Sequence, residues 1–344
     1  MFQELDVEDV LTYLGERRVC VPDSPIDLRR LSGGVSSNVF SVRWRDQGVI
    51  VKQALPRLLV EDEWYADPSR ALSEGAAISL AHALLPGWTP EVLDIDAERL
   101  IITITHAPDG WKNWKEELLV GRVEQAVAAG LGSFLGQWHC ATSELELDPL
   151  FAAREPFESL RVDPFYWTIA RRHPDLAPDI TDTVERMNST RSCLVHGDFS
   201  PKNVLSGDGQ LWVLDFEVTH MGDPTFDVAF LLHHLLLKAI HRPKDAESLL
   251  ACGAAFLQAY RDTTGGDAVC DTDPTYLFRH VGCLALARVD GKSPVDYLTH
   301  DAASNARFVA RSLIASPPDT LAKVWSRIAP AKSSLRSSRA IGQQ

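Results

Sequence analysis

The sequence predicts an α+β fold in two lobes, a small and mostly antiparallel β lobe followed by a larger helical one. Three observations carry this. Runs of β-branched residues separated by turn residues fill the chain up to residue 108. From about residue 116 onward, apolar residues recur at helical spacing. Within that helical part, residues 194–227 revert to short strands that carry a dense set of acidic side chains. The expected division is 1–108 for a β-rich nucleotide-binding lobe and 109–330 for a helical catalytic and substrate lobe. Residues 331–344 form a polar tail expected to fray.

In chain order, Asp6 to Leu14 places Val7, Val10, Leu11 and Leu14 at helical spacing, and the rest of residues 1–30 reads as linker. Val39 to Trp44 and Val49 to Lys52, with a turn at Asp46-Gln47-Gly48 between them, read as a hairpin. Ser69, after Pro68, is placed to cap a helix over 69–85, in which Ala71, Glu74, Ile78 and His82 lie on neighbouring turns. Pro86, Gly87 and Pro90 end it. Glu91 to Thr105 reads as two more strands with a turn near Asp96-Ala97-Glu98.

Glu124 to Thr142 is a long amphipathic pattern, with Val127, Leu131, Phe134, Leu135 and Trp138 on one side. Short strands follow at Leu194-Val195, Val204-Leu205 and Leu211 to Leu214, and Ser206 to Gly209 forms a tight turn between the last two. Helical patterns resume over 225–262 and 276–314.

The bulk numbers narrow the function classes. The 344 residues carry 34 Lys and Arg against 47 Asp and Glu, a formal charge of −13 with no basic block. Nucleic acid is therefore not an expected partner. Six cysteines are scattered without a CxxC pair, which suits a reducing compartment better than a disulfide framework. The first residues lack the apolar core of a signal peptide, and Val228 to Ile240 is too short to span a bilayer. The expectation is a cytoplasmic protein with no membrane partner.

The chemistry concentrates at 194–227. Asp198 follows a His196-Gly197 turn, Asn203 comes five positions later, and Asp215 lies twelve beyond that. Phosphoryl transfer uses one carboxylate to orient the attacking hydroxyl. It uses an amide and a second carboxylate to hold Mg²⁺ against the nucleotide phosphates. Asp198 is thus the candidate catalytic residue, and Asn203 and Asp215 are candidate metal ligands.

Glu217 shares a face with Asp215 if the strand stays extended, and reads as a further metal ligand or as a solvated acid. Asp227 opens an apolar helix, either as a buried carboxylate that accepts loop amides or as a simple cap. Lys52, in a β-branched run, is the candidate contact to nucleotide phosphates, with Glu74 as its partner. Gly33, Gly34 and Ser36 form a candidate phosphate loop, although it matches neither GxGxxG nor GxxxxGK[ST]. His139, His233 and His234 read as packed core histidines. Trp111, Lys112, Trp114 and Lys115 read as a stacking platform or as a loop capping the core.

His196-Gly197-Asp198, Asn203, Asp215 and the Gly222 to Asp227 segment together resemble the aminoglycoside phosphotransferase and choline kinase superfamily. Val51 to Pro56, Trp64, Arg70 and Glu74 are most similar to its methylthioribose kinase branch, as is Asp215-Phe216-Glu217. Phe199 to Asn203 departs from that branch and follows the broader pattern. The resemblance covers roughly residues 30–300 and implies a protein-kinase-like fold with ATP held between the lobes.

It also implies a hinge near Ile102 to Thr105, so Thr103 and Thr105 are added as candidate nucleotide contacts. Asp198 would act as acid/base, Asn203, Asp215 and optionally Glu217 would bind metal, and Lys52 would meet phosphates. Arg288 and Lys292 reach a substrate or are surface charges after a helix end. The resulting expectation is an Mg²⁺-dependent small-molecule kinase. It would move the γ-phosphoryl of ATP to a hydroxyl of a sugar-like, amino-alcohol or aminoglycoside acceptor. The alternative is a catalytically silent, nucleotide-binding regulatory pseudokinase.

Overall fold

The hairpin expected around residue 46 is the centre of a five-stranded antiparallel sheet. Its strands are β1 (Asp27–Leu31), β2 (Ser37–Trp44), β3 (Gln47–Ala54), β4 (Val92–Asp96) and β5 (Ile101–Thr105), in the order β1-β2-β3-β5-β4. This computed structural model describes residues 4–19, 26–31, 36–45, 47–59, 64–265 and 273–328. Gly33, Gly34, Asp46 and the 331–344 tail lie outside the described residues.

Strand alternation gives the sheet two faces. Phe40, Val42, Val49, Val51 and Ile101 point one way and pack with Val10, Tyr13 and Leu14 of helix α1 (Val10–Arg17). The opposite face carries Lys52, paired in register with Ile102, and packs toward α2 (Arg70–Leu84). Ser69 occupies the N-cap position of α2, but its side chain makes no capping bond. Strand β1 was read as linker because Asp27, Arg29 and Arg30 break the apolar alternation; it is an outer strand, where charge costs little.

The second lobe is helical: α3 (Trp114–Val120), α4 (Gln125–Ser143), α5 (Glu155–Phe157), α6 (Thr168–Arg172), α7 (Ala177–Ser189), α8 (Thr225–His241), α9 (Ala246–Thr264), α10 (Pro274–Asp290), α11 (His300–Ala315) and α12 (Leu321–Trp325). A π-helical stretch, Glu158–Trp167, joins α5 to α6 and contains Pro164. The two late helical patterns are each broken in two. Pro243 ends the first after α8, and Gly291 to Thr299 separates α10 from α11. Helices α4 and α9 approach closely: a Cβ added at Gly132 would lie 2.3 Å from the Phe256 carbonyl oxygen.

Short strands interrupt this lobe where the acidic set lies. Strand β6 (Lys112–Asn113) pairs with β8 (Val204–Gly207), which pairs with β9 (Gln210–Val213); β7 (Cys193–Val195) pairs with β10 (His220–Gly222). Asp208 and Gly209 turn the β8–β9 hairpin with φ of 51° and 72°, as a two-residue type I′ turn requires. The lobes are joined by Trp64 Nε1 donating to the Ser159 carbonyl at 3.0 Å and by Val213 N donating to the Trp88 carbonyl at 2.8 Å. One apolar core runs from Ile78, Ile102 and Ile104 into α4, α8 and α10. Trp111 packs edge-on against Trp212, and Trp114 is buried in that core, which settles this cluster as structural. Among the described residues, Cys252 and Cys283 are free thiols, and no helix is long and apolar enough to cross a membrane.

Candidate active site

Two side chains from distant parts of the chain meet at Lys52. Its Nζ lies 2.7 Å from Glu74 Oε1 on α2 and also contacts Asp215 Oδ1, just after β9. Glu74 reaches Lys52 because β3 turns that side chain toward α2, while its neighbour Val51 points to α1. Burial opposes charge on Lys52, but Asp215, Glu74 and Glu217 outweigh it and raise its pKa. Burial, countered by Lys52 but reinforced by Asp215 and Glu217, pushes Glu74 up to about 7. Asp215 is held well below the usual carboxylate range: burial works against its charge, and Lys52 and Lys202 prevail.

Asp198 sits just after β7, 2 % exposed. Its Oδ2 accepts three donors: Lys202 Nζ at 2.8 Å, Asn203 Nδ2 at 2.9 Å and Arg161 Nη2 at 3.0 Å. Burial would raise Asp198, but Arg161 and Lys202 hold it below the ordinary value, so it stays ionised. Among the described residues no donor engages Oδ1. Asn203 also donates from Nδ2 to the Asp198 carbonyl at 2.9 Å, which orients its Oδ1 as the remaining acceptor. Lys202 spans the two acids, with its Nζ 3.9 Å from Asp215 Oδ2.

The loop that carries Asp198 is fixed from behind. Asp227 Oδ2 accepts the His196 amide at 2.6 Å, and Oδ1 accepts the Gly197 amide at 2.8 Å. Of the two readings for Asp227, the loop anchor is the one realised. His139 Nε2 lies 3.3 Å from Asp227 Oδ2, and its Nδ1 lies 2.9 Å from the Tyr260 hydroxyl. His196 Nδ1 accepts the Asp198 amide at 3.1 Å, so its Nε2 carries the proton and donates to the Leu214 carbonyl at 3.0 Å. His196 therefore ties the catalytic loop to the chain just before Asp215.

Glu217, a candidate metal ligand, has a protein partner in the structure. Asp215 has φ of 68°, so the chain is not extended there and strand alternation does not carry through to Glu217. Its Oε2 instead pairs with Arg70 Nε at 3.0 Å, and both side chains are buried. Arg70 also donates to the carbonyls of Ser36 at 2.5 Å and Leu55 at 3.0 Å. Thr103 and Thr105 share the Ile101 face of β5, opposite Lys52; Thr103 is fully buried and Thr105 Oγ1 accepts the Glu91 amide at 3.0 Å. Their side chains do not join the site.

Two residues that contact Asp198 escaped the sequence reading. Arg161 lies in the π-helical stretch, where Pro164 and irregular spacing hide any periodic signal. Lys202, one residue before Asn203, was legible only as part of the Phe199 to Asn203 motif. Among the described residues no group of three or more His, Cys, Asp or Glu is arranged to hold a metal ion by itself.

The sequence profile described as the phosphotransferase enzyme family matches residues 27–267. The chain belongs to that phosphotransferase family. Among curated family relatives, the methylthioribose kinase of Geobacillus sp. (strain WCH70) is 24 % identical over 259 residues, 66 % of this chain and 64 % of the relative. The methylthioribose kinase of Bacillus velezensis is 24 % identical over 253 residues, 64 % of each. The match thus spans a little under two thirds of these relatives' length. An amicoumacin kinase solved with AMP-PNP, Ca²⁺ and Ami has the same fold, with a TM-score of 0.59 at 15 % identity over 90 % of this chain and 94 % of that one. A microcompartment-associated aminopropanol kinase aligns with a TM-score of 0.57 at 15 % identity over 92 % of this chain and all of that one. The phosphotransferase family thus brings with it the two-lobed, protein-kinase-like α+β fold.

Proposed function

We propose that this protein is a small-molecule kinase that transfers the γ-phosphoryl of ATP to an acceptor hydroxyl. The observation that carries the reading is the Lys52 bridge between Glu74 and Asp215, with Asp198 one lysine away from Asp215. Lys52 would meet the nucleotide phosphates, positioned by Glu74. Asn203 Oδ1 and Asp215 would hold Mg²⁺, which when bound neutralises charge on the phosphates. Glu217 is assigned to Arg70 instead.

Asp198 Oδ1 would accept the acceptor hydroxyl's hydrogen bond. The hydroxyl oxygen forms a bond to the γ-phosphorus as the bond from phosphorus to the β–γ bridging oxygen breaks. ADP leaves with that electron pair, and the hydroxyl proton passes to Asp198. Arg161 and Asn203 keep Asp198 aimed, and Lys202 is placed to meet the transferring group. Alignment and charge neutralisation carry the rate. The set is complete, which supports transfer over a catalytically silent regulator.

The test is ADP formation with Mg²⁺, ATP and a panel of sugars, amino alcohols, aminoglycosides and hydroxy acids. Asp198→Asn should leave ATP affinity within about twofold and lower kcat by at least about a thousandfold. A variant that keeps near-normal kcat removes Asp198 from the chemistry.

A further inference from the structure

The wall of the helical lobe beside Asp198 is unusually cationic. Arg161, which holds Asp198, places its guanidinium 5.8 Å from the Phe230 ring centre on α8. Phe230 in turn packs against His233 at 4.8 Å, His234 at 5.5 Å and Phe165 at 5.9 Å. Arg288, near the end of α10, lies 5.9 Å from the Phe165 ring centre. Lys238, one turn of α8 beyond His234, sits 5.5 Å from the ring centre of Tyr297.

Neither Lys238 nor Arg288 forms an ion pair among the described residues; Arg288 Nη1 donates to Ser293 Oγ at 2.9 Å, and Asp198 and Asp296 favour its charge only through space. Lys238 is 1 % exposed and His233 is fully buried. Arg288 Nε, both ring nitrogens of His233 and the Tyr297 hydroxyl are buried without a hydrogen-bond partner. Among the described residues no carboxylate pairs with Lys238 or with Arg288. Asp198 is already matched by Arg161 and Lys202, Asp163 is taken by Lys292 at 2.6 Å, and Asp296 is exposed. Burial together with Lys115 and Arg288 pushes Lys238 down to about 7. Retaining buried cationic groups without a carboxylate partner is costly unless an anion completes them. A cationic acceptor would face repulsion here.

We propose that Arg288, Lys238 and the His233-His234 pair form an acceptor subsite for an anionic oxygen group, so that the phosphorylated hydroxyl belongs to a hydroxy acid or a sugar phosphate. This rests on the kinase reading above and names its acceptor class. The guanidinium and ammonium would hold the anion, the neutral imidazoles and the Tyr297 hydroxyl would supply further bonds, and the hydroxyl would be presented to Asp198.

The experiment combines calorimetric binding with an ADP-release assay. The probes are glycerate, gluconate and glycerol 3-phosphate, with glycerol and sorbitol as neutral controls and choline and 1-amino-2-propanol as cationic ones. At least one anion should bind about tenfold or more tighter than every control; glycerate or gluconate alone assigns a carboxylate, glycerol 3-phosphate alone a phosphate. Lys238→Met, close in volume, should weaken that anion by about tenfold to a hundredfold and leave ATP affinity unchanged. Its melting temperature should not fall, because a buried charge has been removed.

The proposal is overturned if a neutral or cationic probe binds as tightly, if none of the anions binds, or if Lys238→Met binds the anion as the natural chain does. ADP release driven by sorbitol or choline with no anion binding sinks the subsite and leaves the kinase standing. Lys238-dependent anion binding with no transfer to any probe keeps the subsite and counts against the kinase.

Discussion

Asp227→Asn tests whether the catalytic loop is held by a carboxylate beneath it. Asp227 accepts the His196 amide at 2.6 Å and the Gly197 amide at 2.8 Å, and it is fully buried. Asparagine keeps one acceptor oxygen and turns an NH₂ toward the other amide. One charge-assisted bond is lost, and one buried donor is left facing another donor. The two effects cost about 1–3 kcal/mol each, about 2–6 kcal/mol together. That is a large share of a typical folding free energy of about 5–15 kcal/mol. Urea unfolding of both proteins measures it directly. Because residues 196–197 lead straight into Asp198, kcat at saturating ATP should also fall, by about tenfold or more, while ATP affinity holds. A stability change under about 1 kcal/mol with unchanged kcat would refute the anchoring argument.

Three further outcomes follow from other parts of the structure. Glu217→Gln leaves Arg70 buried without its ion-pair partner and should cost about 3–5 kcal/mol, yet the Mg²⁺ concentration for half-maximal rate should stay put; a marked rise would return Glu217 to the metal. Gly132→Ala drives a methyl group against the Phe256 carbonyl between α4 and α9 and should destabilise by about 1–3 kcal/mol or more, read as a lowered melting temperature. His220 is buried with a pKa lowered to about 4, chiefly by burial, so the folded state resists the proton that the unfolded chain accepts near 6.5. Its contribution is therefore present above about 6.5 and lost as pH falls toward 4, about 3 kcal/mol in all. His220→Asn should flatten unfolding free energy against pH across that window, and an undiminished slope would count against it.

The strands and the acid set were legible because their signals are local. β-Branched runs mark β2, β3 and β5, and Asp198, Asn203 and Asp215 sit within a few residues of short apolar strands. The partnership of Lys52 with Glu74 could also be read, since strand and helix periodicities each aim one side chain inward. What escaped needs geometry that no local pattern encodes. The Arg70 partner of Glu217 was not legible because alternation was carried through Asp215, whose left-handed backbone ends it. The hinge segment keeps its alternation, which turns the side chains of Thr103 and Thr105 to the far face from Lys52. Arg161 comes from an irregular helix, and only the folded chain brings it to Asp198. That no carboxylate pairs with Lys238 among the described residues is invisible in sequence, because a lysine among leucines gives no sign of which acids come near.

The outer strands of the N-terminal sheet have a consequence for the protein's behaviour in crowded solution. Both β1 and β4 are five residues long; β1 carries Asp27, Arg29 and Arg30, while β4 carries Asp94 and Asp96, with Arg17 bound to Asp94. An open rim of unpaired amides would otherwise template a neighbouring copy. Short length and ionised side chains on both rims make such stacking unfavourable, so the sheet can stay open at its margins without seeding fibrils.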